Sequence, residues 1–290
     1  MDVLQPNDLS EALAAAAEHP DAVPLAGGTD LMVELNFDVR RPDVIMDLTR
    51  VPELRGWSRN NGSIRLGAGV TYTHLIADLA AELPGLAIAS RTVGSPQIRN
   101  RGTVGGNLGT ASPAGDALPI LVALDAKVEL ASHTQTRVLT LDEFITGPKQ
   151  TSLRAGEVIT AAIIPSAKGP QQFSKIGTRN AMVIAVASFA VALDPEARSV
   201  GTGIGSAGPR PLRAIEAEDF MAGHIDEGDL WNTRGVIGES ALQQFGDLVG
   251  AAALPIDDVR GTAAYRRHAV SVMARRTLTW AWDEYRRGNG

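Results

Sequence analysis

The residue types best suited to chemistry lie in two glycine-rich stretches, Leu25-Ala-Gly-Gly-Thr-Asp-Leu31 and Arg99-Asn-Arg-Gly-Thr-Val-Gly-Gly-Asn-Leu108, the second running on through Gly109 to Ala111-Ser-Pro-Ala-Gly-Asp116. Glycine lets backbone amides point outward with no side chain in the way. Such N–H groups, in a turn or at a helix start, hold concentrated negative charge without lysine or arginine. No basic residue occurs from Pro24 to Glu34, so an anion held there must rely on the backbone. Thr29, Asp30, Thr103, Asn107 and Asp116 add the hydroxyl, amide and carboxylate groups that a phosphate, a ribose and a purine edge engage. Taken singly, each glycine pair reads equally well as punctuation between strand and helix. Together, in this company, they predict a cradle for a dinucleotide pyrophosphate.

Other chemistries find less support. Gly203-Ile-Gly-Ser-Ala-Gly208 matches the Rossmann G-x-G-x-x-G spacing, but Pro209-Arg-Pro211 follows where a helix should begin. No G-x-x-x-x-G-K-[ST] loop is present, and with no cysteine there is no disulfide, thiolate-held cluster or catalytic thiolate. The histidines at 19, 74, 133, 224 and 268 have no metal-binding spacing, so no metal site is expected on this chain. A net charge of −6 with 4% aromatics gives neither the field nor the stacking surfaces of a nucleic-acid binder.

The elements that would position the cradle are legible in outline. At 290 residues, 44% hydrophobic and 21% charged, the chain has the composition of a globular protein and the length of two domains. Asp8-x-x-Glu11 reads as a capping box opening an alanine-rich helix that His19-Pro20 closes. Residues 22–26 read as a strand entering the first glycine loop, with a helix from Leu31 onward. Further strands are expected at 44–48 and 64–68, a helix from Thr71, and a long functional loop over 94–115. A helix at 117–124 and strands at 127–131, 138–140 and 158–164 precede a linker at 165–170. Strands at 173–177, 183–193 and 200–206 should form an antiparallel meander. The apolar run from Met182 to Leu193 is too short to span a bilayer and reads as a buried strand. The terminal segment reads as a helix with Tyr265, Ala269, Val272, Met273 and Trp280 on one face and Arg266, Arg267, Arg275 and Arg276 on the other, suited to docking a partner. The first residues lack the basic start and apolar stretch of an export signal, so a cytoplasmic location is expected.

The two glycine motifs, in this order and spacing, resemble the FAD-binding medium subunit of molybdenum hydroxylases, the xanthine dehydrogenase and carbon monoxide dehydrogenase family. The resemblance continues in Lys175-Ile-Gly-Thr-Arg179, Ala207-Gly-Pro-Arg-Pro-Leu-Arg213 and Asp258-Val-Arg-Gly-Thr-Ala-Ala-Tyr-Arg-Arg267, covering nearly the whole chain. It implies an α+β fold: a PCMH or vanillyl-alcohol-oxidase-type FAD-binding domain over residues 1–170, built of two α+β subdomains (about 1–57 and 58–170). A small α+β C-terminal domain, a three-stranded antiparallel sheet with helices, would follow over 171–290. It further implies that amides of the first loop (Ala26, Gly27, Gly28, Thr29, Asp30, Leu31) and of the second (Gly105, Gly106, Asn107) hold the pyrophosphate, with Leu25 also among the cofactor-binding residues. Thr103 and Gly109 would lie close to FAD, and Asp116 would bind ribose hydroxyls. Val93 and Ile159 match positions touching the flavin and adenosine ends, though each fits equally well as core. Lys175 matches a lysine near the isoalloxazine ring, or else is a solvated strand residue. At Ala181-Met-Val-Ile184 the sequence departs from relatives that carry Gly-Asp-Tyr; Val183 stands where their tyrosine screens the flavin.

The implied activity is electron transfer within a complex. Molybdopterin on a large partner subunit and [2Fe-2S] clusters on a small one would feed FAD on this chain, which would serve an acceptor such as NAD or a quinone, in a dimer of heterotrimers. No side chain here need act as acid, base or nucleophile. Two rivals are a self-contained flavin oxidase of the same fold type, for which the C-terminal part is small, and a cofactor-free module gripping a phosphorylated ligand. No nucleic-acid partner and no transmembrane segment are expected.

Overall fold

The computed structural model describes residues 1–166 and 169–288, which form two compact units, each assembled from separate stretches of chain. The first comprises residues 1–75, 95–112 and 126–165; the second comprises 76–94, 113–125 and the described residues from 166 onward. The linker expected at 165–170 includes residues 167 and 168, which lie outside the described residues.

The first unit holds two larger sheets. Val44–Asp47 lies between Asp2–Leu4 and Val23–Leu25, and both pairings are parallel, as strands joined by helical crossovers must be. The crossover helix Leu9–Glu18 opens at Asp8, whose carboxylate accepts the Glu11 N–H at 2.8 Å. The Glu11 carboxylate returns to the Asn7 N–H at 2.8 Å, so the expected capping box is displaced by one residue. Ala12 and Ala16 let this helix pack closely on Met46, Leu48, Val51 and Leu54. The second sheet is antiparallel, in the order Trp57–Asn60, Ser63–Gly67, Val158–Pro165, Lys127–Ala131, Thr136–Thr140. Its central strand, apolar on both faces, bulges between Ile159 and Ala161.

Residues 94–115 are not the long loop the glycine content predicts. They contain the helices Pro96–Arg101 and Val104–Thr110, capped by Ser95 and Thr103, whose hydroxyls accept the N–H groups of Ile98 and Gly106. A capping serine with proline at the first helical position is a start signal that the surrounding glycines obscure.

The second unit is built on the meander Gln171–Ile176, Ala187–Asp194, Ser199–Gly205. The middle strand begins at Ala187 and not at 183; Met182 and Ile184 are 57% and 62% exposed. The two faces of the meander differ in side-chain size. Ser188, Ala190 and Ala192 pair with Gly205, Gly203 and Gly201, and this small-residue face receives the helix Ala117–Ala123. A Cβ on Gly203 would stand 1.8 Å from the Pro119 carbonyl oxygen, and one on Gly201 2.1 Å from that of Ala123. The glycine alternation that mimics a Rossmann loop is therefore a helix seat. Phe189, Val191, Leu193, Val200 and Ile204 face the other way, into a core with the helices Ile215–Glu227, Glu239–Ala252 and Ala263–Arg286. None of the described helices is long and apolar enough to cross a membrane.

The terminal helix turns a different face inward from the one expected. Arg266, Ala269, Val270, Met273, Ala274, Thr277, Leu278, Ala281 and Trp282 are buried, while Tyr265 and Trp280 are about half exposed. Arg266 is only 2% exposed, donating to the carbonyls of Val186 (2.9 Å) and Ser206 (2.5 Å) and to Asp258 Oδ1 (2.5 Å). It is a core residue whose two terminal nitrogens are held by fixed acceptors, not part of a docking face.

Candidate functional site

In the first unit the two glycine stretches, some 75 residues apart in sequence, meet backbone to backbone. The strand Val23–Leu25 ends in Ala26-Gly27-Gly28, and Gly28, at φ +77, turns the chain into the helix Leu31–Asn36. A Cβ on Gly27 would stand 2.0 Å from the Arg101 carbonyl oxygen and 2.9 Å from Gly102 Cα. A Cβ on Gly105 would stand 2.4 Å from that of Ala68. Both glycines are required by close approach. Gly106 is different: it faces Ala26, whose Cβ lies 3.9 Å from the place its own would take.

The first loop is a set of uncommitted donors. Among the described residues, the N–H groups of Gly27, Gly28, Thr29 and Asp30 meet no acceptor. Four consecutive free amides beside a positive-φ glycine form an anion nest. The second loop corrects the expectation that its amides also serve: Gly105 N–H donates to Ala68 O (2.9 Å), Gly106 N–H to Thr103 Oγ1 (2.9 Å) and Asn107 N–H to Thr103 O (3.0 Å). What this loop offers is the bare Cα surface of Gly106 and the Asn107 side chain, whose Oδ1 is buried without a partner. A buried amide oxygen left open needs a partner from outside the chain. Gly109 sits against the bulge strand, a Cβ there lying 3.4 Å from the half-buried Ile159 side chain.

One residue at this place was not singled out from the sequence. Lys149, at the turn between Ile145–Gly147 and Gln150–Thr151, reaches Glu34 Oε1 at 2.8 Å and lies 3.9 Å from Asp30 Oδ2. Its N–H donates to Ala111 O at 3.0 Å, and Thr110 Oγ1 donates to Asp30 Oδ2 at 3.2 Å. The Glu34 contact, ahead of the opposing effect of burial, holds the lysine above its usual pKa. At a separation of 115 residues from Glu34, no sequence signal links the two.

In the second unit Asp116 and Lys175 form an ion pair at 2.6 Å, each side chain 8% exposed. Lys175 also donates to Thr92 O at 3.2 Å, next to the half-buried Val93. Burial pushes the Asp116 carboxyl above the usual carboxylate range, with Lys175 pulling the other way. Lys175 is thus no solvated strand residue. Asp116 Oδ1 has no partner and remains an open acceptor.

A family model described as the FAD binding domain in molybdopterin dehydrogenase matches residues 1–167, and one for the CO dehydrogenase flavoprotein C-terminal domain matches residues 172–281. This chain is a member of the FAD-binding subunits of the molybdopterin dehydrogenases. Its relatives include the nicotinate dehydrogenase FAD-subunit of Eubacterium barkeri, 35% identical over 75% of this chain and 78% of the relative. The nicotine 6-hydroxylase medium subunit of Paenarthrobacter nicotinovorans is 31% identical over 95% of both chains. Among solved structures, reconstituted CO dehydrogenase from Oligotropha carboxidovorans matches with a TM-score of 0.89 at 28% identity over 98% of both chains. The FAD-binding α+β fold and the three-stranded C-terminal sheet agree with this family. For an FAD-binding subunit the first unit's geometry fits: free amides suit a diphosphate, Gly106 leaves the space a Cβ would fill, and Asn107 Oδ1 awaits a donor.

Proposed function

We propose that this oxidoreductase subunit takes electrons from the iron–sulfur clusters of a small partner, fed by a large molybdopterin-bearing partner, and delivers them to NAD or a quinone. The observation that carries the reading is the run of free amides at Gly27–Asp30, seated on the backbone at Arg101–Gly102 with no cation of its own stretch. When bound, the flavin supplies conversion between one-electron and two-electron transfer.

The chain's own part is binding and orientation. Amides of Ala26 to Leu31, after Leu25, are positioned to donate to the diphosphate, with Thr103, Gly105, Gly106, Asn107 and Gly109 forming the facing wall and Ile159 an apolar support. In the second unit Asp116 and Lys175, locked to each other, present one open carboxylate oxygen, and Val93 lies beside the Thr92 carbonyl that holds the lysine. Roles for Asp116, Lys175 and Val93 in holding FAD, a domain boundary near residue 170, a dimer of heterotrimers and a cytoplasmic location complete the proposal, supported by the family match and by the names of multi-subunit relatives.

The test is to purify the chain with and without its partners. With them, flavin absorbance should bleach when the substrate that the large partner hydroxylates is added; without the small iron–sulfur partner it should not. A chain that alone oxidised aldehydes, alcohols or heterocycles in air would defeat the subunit reading.

A further inference from the structure

The flavin cradle has an electrostatic problem that its backbone does not solve. Asp30, whose amide belongs to the free run, and Glu34, one turn along the same short helix, place two carboxylates beside a site built for a diphosphate. Like charges at that range repel, and neither carboxylate has a basic neighbour between Pro24 and Glu34. The compensating charge arrives from far away in sequence. Lys149 Nζ bonds Glu34 Oε1 at 2.8 Å and stands 3.9 Å from Asp30 Oδ2, so the three groups together carry one negative charge and not two.

The position is built for a side chain. Lys149 adopts φ +56 at the tip of its hairpin, a conformation that glycine or asparagine takes with less strain. A lysine there accepts that strain and places its ammonium on both carboxylates. The same residue's N–H holds Ala111 O, the end of the second glycine helix, while Thr110 bonds Asp30. One residue therefore ties the helix leaving the first loop to the helix leaving the second.

We propose that Lys149 is a positioning residue for the flavin diphosphate, acting by neutralising the Asp30–Glu34 pair. The inference rests on the reading of this cradle as the FAD site, but it fails separately: flavin binding by the unaltered chain tests the site, and the Lys149 variants test the lysine.

The experiment is FAD titration of the intact, flavin-stripped chain, followed by flavin fluorescence at low and high ionic strength. Lys149→Met should weaken FAD about threefold to tenfold at low salt, with the difference shrinking as salt screens it. Glu34→Gln alone should bind FAD more tightly than the unaltered chain at low salt, since the rim then carries no net charge. The double variant Lys149→Met/Glu34→Gln should return to within about twofold of the unaltered affinity, given the same net charge as the starting protein. Equal affinity of Lys149→Met and the unaltered chain at low salt would overturn the proposal. So would a loss that neither salt nor Glu34→Gln alters, which would make Lys149 a structural clasp only. If Lys149→Met fails to fold, Glu34→Gln still decides: affinity no tighter than that of the unaltered chain overturns it.

Discussion

Replacing Gly27 by alanine separates a cradle held by close backbone approach from one held by side chains. The new Cβ would stand 2.0 Å from the Arg101 carbonyl oxygen and 2.6 Å from its carbon, whereas Cβ atoms essentially never come within 3.0 Å of a neighbour. Both obstacles are backbone, so no side chain can swing aside, and the first loop must part from Arg101–Gly102 by about 1 Å. Overpacking of this kind costs about 1–3 kcal/mol in stability. A shift of about 1 Å also carries amide-to-phosphate bonds of roughly 2.9 Å out of hydrogen-bonding range. Losing two such charge-assisted bonds, at about 1.5 kcal/mol each, weakens FAD roughly 100-fold. Thermal melting of the flavin-free chain and FAD titration by fluorescence measure the two effects independently. Gly106→Ala is the control. Its Cβ meets only Thr103 Oγ1 at 3.1 Å and Ala26 Cβ at 3.9 Å, and alanine is preferred over glycine in a helix by about 1 kcal/mol. That variant should keep or gain stability while losing flavin affinity, because the methyl fills the cradle. Gly27→Ala binding FAD within about threefold of the unaltered chain would refute the reasoning, since the loss worked above from two bonds is far larger.

Three further outcomes follow from the second unit. Gly203→Val, whose Cβ would stand 1.8 Å from Pro119 O, should lower the melting temperature sharply or abolish soluble expression, although the motif it breaks binds no nucleotide. Arg266→Met should cost about 3–5 kcal/mol in denaturant unfolding, because Asp258 loses a buried partner and the Val186 and Ser206 carbonyls lose their donor. Asp258 has its pKa lowered chiefly by the hydrogen bond from the Arg260 side chain, with Arg266 adding to it. A depressed carboxyl contributes stability above its unfolded pKa of roughly 3.9 and loses it as pH falls through the folded value. Urea midpoints should therefore drop as acid is added below about pH 4, and Asp258→Asn should flatten that limb.

The elements bearing the site were legible because they depend on local rules. A strand leading into Gly27-Gly28, a helix closed by His19-Pro20 and three short apolar strands after residue 170 are each readable from a few neighbouring residues. The glycine motifs marked where an anion would sit, and the absence of cysteine ruled out a thiolate-bound cluster on this chain. Free amides at Gly27–Asp30 agree with that reading. What a string of residues does not carry is which groups are already satisfied. Amides of Gly105 to Asn107 look as available as those of Gly27 until Ala68 O and Thr103 are seen to hold them. Gly203 and Gly205 carry the spacing of a phosphate loop until a helix is seen lying on them, and Arg266 looks solvated until three acceptors converge on it. Lys149 and Glu34 are neighbours only because two hairpin strands and a glycine helix bring them together. Local propensity is written along the chain, whereas close approach, burial and the pairing of distant charges arise only once the chain has folded back on itself.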